Sequence, residues 1–334
     1  MAKVLVTGGA GFVGSALVRA LLNRGEDVHV LARKSSHLVN LTGLKVQVHY
    51  GDVYYPESLR NAMKGAEVVY HTASVYRFFP WWKRTVPPIY KINIQGTQNV
   101  IQTAQEAGVK KLIYTSSIIT MGIRKDGGLS NENTLLRKAQ LASHYARSKY
   151  DAESLVLHEA GRGLLAVVVN PGMVIGPGDH KPTPSGEMIV KFLNRTYPGY
   201  FHTVFCLADV DDVAAGHIAA AEKGVVGSRY ILCNQEHRSM KALFKILEKI
   251  SGVRAPWIKF PYPLLLAFVY ADEWSVRLIK HRPLMPSEGV NFCRSFLRCD
   301  NTKAVQELGY KTTPIEETLE KAVRWFRDHG YVHS

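Results

Sequence analysis

The sequence predicts an α/β fold: a doubly wound parallel sheet joined to a smaller mixed C-terminal region. Three observations predict it. Short β-branched runs alternate with helix-length segments through the first half, a glycine-rich turn follows the first run directly, and the chain changes character beyond Pro171. Runs that are apolar on both faces suit strands covered by helices on each side.

Taken in order, Lys3 to Thr7 reads as a strand, Phe12 to Asn23 as a helix with apolar residues at helical spacing, and Val28 to Leu31 as a second strand. Val46 to Tyr50, Val68 to His71, Leu112 to Thr115 and Leu165 to Val169 are further strands. Ile89 to Ala107 and His144 to Glu159 suit helices. Past Pro171 comes the Pro/Gly-rich stretch PGMVIGPGDHKPTPSG. Mixed segments follow: Glu187 to Arg195, Met240 to Ser251, an apolar and aromatic run from Trp257 to Trp274, and an amphipathic helix around Ile315 to Phe326. No internal repeat or long flexible linker separates the two parts. The expected division gives 1–180 to dinucleotide binding, with 205–235 returning to that part. Residues 181–204 and 236–334 form a substrate-binding region.

Composition bounds the function. The 334 residues are 46% hydrophobic and 21% charged, which excludes a disordered or fibrous chain. The longest strongly apolar run, Pro263 to Ala271, is far short of the ~20 residues that cross a bilayer. After Met1, Ala2 and Lys3 the chain enters VLV without a signal peptide, so a cytoplasmic location is expected. Cys206, Cys233, Cys293 and Cys299 are too few and too scattered for a disulfide framework or a metal knuckle, and no metal is expected. A net charge of +14 favours anionic partners. Without a helix-turn-helix, zinc-finger or RNA-binding signature, nucleic acid is not expected among them.

Three motifs carry chemistry. TGGAGFVGS, Thr7 to Ser15, lies between a strand and a helix. Gly8 permits a tight turn, Gly11 lets backbone approach a pyrophosphate, and Gly14 allows close helix packing, while the helix N-terminus favours phosphate charge. At the end of the second strand an NAD site places a carboxylate on the ribose 2′-hydroxyl, whereas this chain reads LARKSS with Arg33 and Lys34. A guanidinium can grip a 2′-phosphate, so NADP is expected, with NAD as the alternative. Asp52, closing the third strand, could accept from an adenine amino group or simply form a turn.

The second motif is Tyr145 and Lys149 in HYARSKYDAE, which a spacing of four puts on one helix face. A phenol is a poor base near its free pKa of about 10, and a neighbouring ammonium together with an oxidised nicotinamide is expected to bring it toward working range. The third is YTSS, Tyr114 to Ser117, at the carboxyl end of a strand, where open α/β sheets bind ligands. A serine there can donate to a carbonyl oxygen as hydride adds to its carbon. Ser117 is preferred over Ser116 and Thr115, either of which could cap a helix.

Together TGGAGFVG, GDV, HTAS (71–74), NIQGT (93–97), YTSS, YARSK and NPGMVIGPGD resemble the extended short-chain dehydrogenase/reductases of the NAD-dependent epimerase/dehydratase family over nearly the whole chain. KPTPSG, FLN and VDDVAAGH make the dihydroflavonol-reductase-like branch, with its hopanoid-associated sugar epimerase-like members, the most similar. The resemblance implies a Rossmann-type sheet and a catalytic set of Ser117, Tyr145 and Lys149. It implies cofactor contacts from Gly8, Gly11, Phe12, Val13, Gly14, Arg33, Asp52, Val53, Ala73, Tyr145, Lys149 and Pro171, with Gly172 beside the last. Asn93 is either the holder of a proton-relay water or a structural amide. Many relatives pair as homodimers through the helices matched by Ile89 to Ala107 and His144 to Glu159, so a homodimer is expected.

One departure bears on substrate. UDP-sugar epimerases of this family carry an arginine for the diphosphate shortly before the motif matched by VDDVAAGH, and this chain has TVFCLA, with Phe205 near that place. Loading two phosphates without a guanidinium is costly. The expected reaction is therefore a ketone–secondary alcohol interconversion on an apolar or cyclic substrate. A sugar epimerase or dehydratase is the alternative, and a non-catalytic dinucleotide-binding scaffold a third reading. Tyr76, Phe78, Phe79, Trp81 and Trp82 interleave with Arg77, Lys83 and Arg84, and Trp257, Phe260, Tyr262, Leu264, Leu265, Leu266, Phe268 and Trp274 form a second apolar set. They suit an apolar pocket with a lip that touches a lipid surface, or else core and a subunit contact.

Overall fold

The computed structural model describes residues 2–79, 88–137, 140–141, 143–279, 286–294 and 297–332. Trp81, Trp82, Lys83 and Arg84 of the expected lip lie outside the described residues.

The first half alternates β1 (Lys3–Thr7), α1 (Phe12–Asn23), β2 (Asp27–Ala32), β3 (Gln47–Tyr50), α2 (Pro56–Met63) and β4 (Val68–His71). The single turn α3 (Pro88–Tyr90) runs through a wide π turn at Lys91–Gln95 into α4 (Gly96–Glu106), followed by β5 (Lys111–Thr115), α5 (His144–Ala160) and β6 (Ala166–Pro171). After these come β7 (Met173–Ile175), α6 (Pro184–Leu193), β8 (Val204–Asp209), α7 (Val210–Lys223), β9 (Arg229–Leu232) and β10 (His237–Ser239). The chain ends with α8 (Met240–Ser251), α9 (Tyr262–Ile279), α10 (Ser287–Cys293) and α11 (Ile315–Asp328).

Seven strands pair in the order β3-β2-β1-β4-β5-β6-β9, all parallel. This is the Rossmann-type α/β sheet expected from the alternation of runs. Val167, Val168 and Val169 in β6 are completely buried, as the apolar-on-both-faces pattern requires. On one face Leu17, Val18 and Leu21 of α1 pack with Val210, Val213 and Ala214 of α7. On the other, Leu59 and Met63 of α2, Val100 and Ala104 of α4 and Ala152 and Val156 of α5 share a second core.

The sheet reverses its winding between β1 and β4, and such a switch point opens a crevice at the carboxyl ends of the strands. A smaller three-stranded sheet, β10-β8-β7, supports a separate core in which α6, α8 and α11 bury Ile189, Phe192, Leu243, Phe244, Leu319 and Phe326.

Two expected segments gain detail. The helix expected over Ile89 to Ala107 forms and is widened by the π turn, where Asn93 is drawn inward: its Oδ1 accepts from Val75 N (2.7 Å), and its Nδ2 donates to Val75 O (3.1 Å) and Ser148 Oγ (2.9 Å). The Trp257 to Trp274 run is mostly one 18-residue helix, α9. Cysteines far apart in sequence also gather: Cys206, Cys233 and Cys299 are buried together with Ile118, Met121 and Leu297. Among the described residues, no group of His, Cys, Asp and Glu is arranged to hold a metal ion.

Candidate functional site

At the switch point the turn after β1 is built by glycine. Gly8 has φ +74°, and a Cβ on it would stand 2.8 Å from the backbone of Ala73, which follows β4. At Gly14 a Cβ would lie 2.3 Å from the Gly8 carbonyl oxygen, so α1 can seat against the turn only without a side chain there. Gly11 caps α1 with no side-chain hydrogen bond, and the first turn of α1, which includes Phe12 and Val13, carries no acid. The positive end of the helix is left to an anion.

Around this turn, Arg33 lies exposed just past β2, and Val53 is buried against the position where Gly96 would carry a Cβ. Asp52 forms a turn, its Oδ1 accepting from Tyr54 N (3.0 Å). Pro171 closes β6, and Gly172 has no room for a Cβ against the Cys206 carbonyl oxygen (2.6 Å). These features fit a dinucleotide: a close-approach turn, an uncapped helix N-terminus, and a cation where the adenosine ribose would lie.

Ser143 starts α5 by accepting from Ala146 N (3.0 Å), and this places Tyr145 in the first helical turn. Tyr145, Lys149 and Glu153 follow at successive turns on one buried face. Ser117, which caps a short 3₁₀ turn after β5 by accepting from Ile119 N (3.3 Å), has its hydroxyl beside that of Tyr145. Burial pushes the Tyr145 phenol up to about 12, with the neighbouring Ser117 hydroxyl working the other way.

The ammonium expected to bring the phenol down is not directed at it. Lys149 Nζ donates to the Thr115 carbonyl oxygen (2.5 Å) and stands 4.8 Å from the centre of the Tyr114 ring. Desolvation lowers Lys149 to about 7, while the Glu153 carboxylate opposes the shift. Ser116 is buried with its hydroxyl unpaired among the described residues, so Ser117 is the serine that meets the phenol. Asn93 has its side-chain amide fully engaged, which is the structural reading.

Several participants carry no motif. Glu153 accepts from Asn170 Nδ2 (2.6 Å) and Thr120 Oγ1 (2.9 Å) and pairs with Arg229 (2.9 Å), forming a floor under Ser117. His217, lowered to about 4 by burial, donates from Nδ1 to Val213 O (2.7 Å), so its Nε2 accepts from Thr115 Oγ1 (2.7 Å). Glu288 accepts from Phe79 N (2.8 Å) and His144 N (3.1 Å), clasping α10 to the loop after β4 and to the start of α5. Only Glu153 left a readable signal, one more helical turn beyond Lys149.

The walls are aromatic. Tyr76 and Phe78 stand 4.6 Å and 6.2 Å from the Tyr145 ring, and Phe292 of α10 stacks on Phe78 at 6.0 Å. Phe205 is packed into the core of the smaller region, and its cross-strand partner is Arg238. That guanidinium pairs with Glu236 and reaches Glu316 at 4.0 Å.

A turn that only glycine can make, an uncapped helix end and a sheet wound both ways from it define the class: a Rossmann-type, NAD(P)-dependent oxidoreductase. Comparison with known proteins narrows this. Residues 5–249 match the 3-beta hydroxysteroid dehydrogenase/isomerase family, and the chain belongs to that family, within the extended short-chain dehydrogenase/reductases. It is 39% identical to a "putative dihydroflavonol 4-reductase" of Synechocystis sp., over 98% of this chain and 95% of that one. It is 32% identical to sterol demethylase protein B of Methylococcus capsulatus, over 98% and 99%. The crystal structure of gox2253, 36% identical, superposes over 100% of both chains with a TM-score of 0.87.

Proposed function

We propose that this protein is an NADP-preferring reductase that interconverts a ketone and a secondary alcohol on a largely apolar, cyclic substrate. The observation that carries the reading is Tyr145 itself: a buried phenol beside the Ser117 hydroxyl and walled by Tyr76 and Phe78. Held at about 12, the hydroxyl keeps its proton at neutral pH, the state a reductase needs.

The nicotinamide, when bound, supplies or accepts the hydride. Ser117 donates to the substrate oxygen and holds it against the tyrosine. Tyr145 Oη gives its proton as negative charge develops there, and the Ser117 hydroxyl eases the phenolate that results. Lys149, anchored on the Thr115 carbonyl close beneath the site, would hold the nicotinamide ribose. Arg33 and the N-terminus of α1 would take the cofactor phosphates. Sterol and flavonol compounds, named for the relatives, are the size and polarity that aromatic walls accept.

The sugar epimerase reading asks for a diphosphate clamp beside Phe205. Arg238 is the guanidinium nearest in register, and it is already engaged by Glu236 and Glu316.

Purified protein incubated with NADPH and a panel of cyclic ketones is expected to consume NADPH in step with alcohol formation. Tyr145→Phe should lower turnover about 100-fold or more and leave NADPH binding within a few-fold. Unchanged turnover in that variant defeats the proton role, and epimerised product without net NADPH loss defeats the reductase reading.

A further inference from the structure

Beside Tyr145 stands a second phenol that the proton transfer does not use. Tyr76 lies in the loop after β4, and that loop is pinned on both sides of it. Val75 engages the Asn93 side-chain amide through both its backbone groups (2.7 and 3.1 Å), and Phe79 N donates to Glu288 of α10 (2.8 Å). Phe78 meets the Tyr76 ring edge-on at 5.7 Å. A loop held at both ends of so short a span presents its side chains in place before any ligand arrives.

The Tyr76 hydroxyl is the polar atom of a wall otherwise made of carbon. Phe78 and Phe292 contribute only ring carbons, and the Tyr76 ring lies 4.6 Å from that of Tyr145. Among the described residues, no group hydrogen-bonds the Tyr76 hydroxyl. Loss of water pushes this phenol well up, as do Tyr145, Cys293 and Asp179 nearby, so it keeps its proton. Yet Tyr76 as a whole is 37% exposed. A side chain that a ligand can reach but water solvates poorly marks a cleft, and a hydroxyl unpaired there costs free energy until something bonds it.

We propose that Tyr76 is a specificity-determining residue, whose hydroxyl bonds a second, neutral oxygen of the substrate beside the carbonyl that Ser117 and Tyr145 address. The site then selects an α-hydroxyketone over the plain ketone. This rests on the ketone–alcohol reading above and adds the polar group that an apolar skeleton must carry.

Charge decides the kind of oxygen. The ionisable groups that act on Tyr76 are Tyr145, Cys293 and Asp179, all acids, so a carboxylate brought there would meet no cation. A hydroxyl fits, because a protonated phenol both donates and accepts. Closeness of the two rings sets its place, on the same ring as the carbonyl.

1-Tetralone and 2-hydroxy-1-tetralone, which differ by one hydroxyl, test the role with NADPH. The full chain is expected to favour the hydroxyketone in kcat/KM by about tenfold, the scale of one neutral hydrogen bond. Tyr76→Phe, which removes the oxygen and keeps the ring, should bring that ratio close to one, through KM and not through kcat. An unaltered ratio overturns the proposal, and so does a wild type without the preference. Since the hydroxyl bonds nothing in the fold, Tyr76→Phe should melt at the wild-type midpoint; a clear drop, or a variant that does not fold, assigns the hydroxyl to stability and also overturns it. Binding separates this inference from the reductase reading. If neither ketone is reduced, calorimetric titration into protein saturated with NADP should still show the hydroxyketone about tenfold tighter in the wild type alone. Equal affinities there, or no binding of either ketone, remove the subsite.

Discussion

Tyr145 and Lys149 show how burial can outweigh proximity. They lie four residues apart on one helix face, a spacing that lets Lys149 tune Tyr145, yet each is moved mainly by the loss of water around it, in opposite senses. Lys149 has a consequence for stability. Its folded-state value, about 7, lies below the unfolded 10.5, so between those values the unfolded chain binds more protons. This group therefore makes stability rise as pH goes from about 7 toward 10, and its penalty is full and constant below 7. Lys149→Met should flatten that rise in urea midpoints of the cofactor-free protein, and an identical pH slope in the variant excludes the effect. Arg33 carries the cofactor preference. Arg33→Ala should shift kcat/KM about tenfold or more from NADPH toward NADH, the scale of losing charge-assisted hydrogen bonds to a phosphate.

At the scale of elements, α5 is held by what lies beneath it. Its residues were legible in the sequence because helical spacing is local. The partners of its buried face were not: Arg229 lies 76 residues from Glu153, and Glu288 lies 144 from His144. Such pairs follow from which strand sits beside which, and periodicity does not carry that. Glu153→Ala strands Asn170, Thr120 and Arg229 around an emptied acceptor site. A loss of about 3 kcal/mol is expected in equilibrium unfolding, with the more conservative Glu153→Gln costing less. The π turn at Lys91–Gln95 is likewise a tertiary outcome, since its sequence reads as ordinary helix until Asn93 is called inward by Val75 and Ser148.

For the whole molecule, the chain crosses between its two parts more than once. β9, which lies in the chain between β8 and β10 of the smaller sheet, adds to the edge of β6, and α7 covers the face that α1 shares. Asp209 binds the parts at their junction: it caps α7 by accepting from Asp211 N (2.8 Å), accepts from Thr318 Oγ1 of α11 (2.9 Å) and pairs with Lys321 (2.6 Å). A fragment of residues 1–180 would expose the β6 edge and the apolar face under Val210, Val213 and Ala214. It should show no cooperative thermal transition, and a sharp melt by circular dichroism would contradict this account.

The sequence by itself determined the parallel sheet, the glycine turn after β1 and the helix that carries Tyr145 and Lys149, because each is encoded by residues within a few turns of one another. Only the tertiary structure decided that Ser117 lies beside the phenol, that Lys149 turns to a backbone carbonyl and that Phe292 closes the aromatic wall. Those outcomes depend on packing between segments far apart in the chain, where burial and geometry, not local pattern, set each side chain's partner.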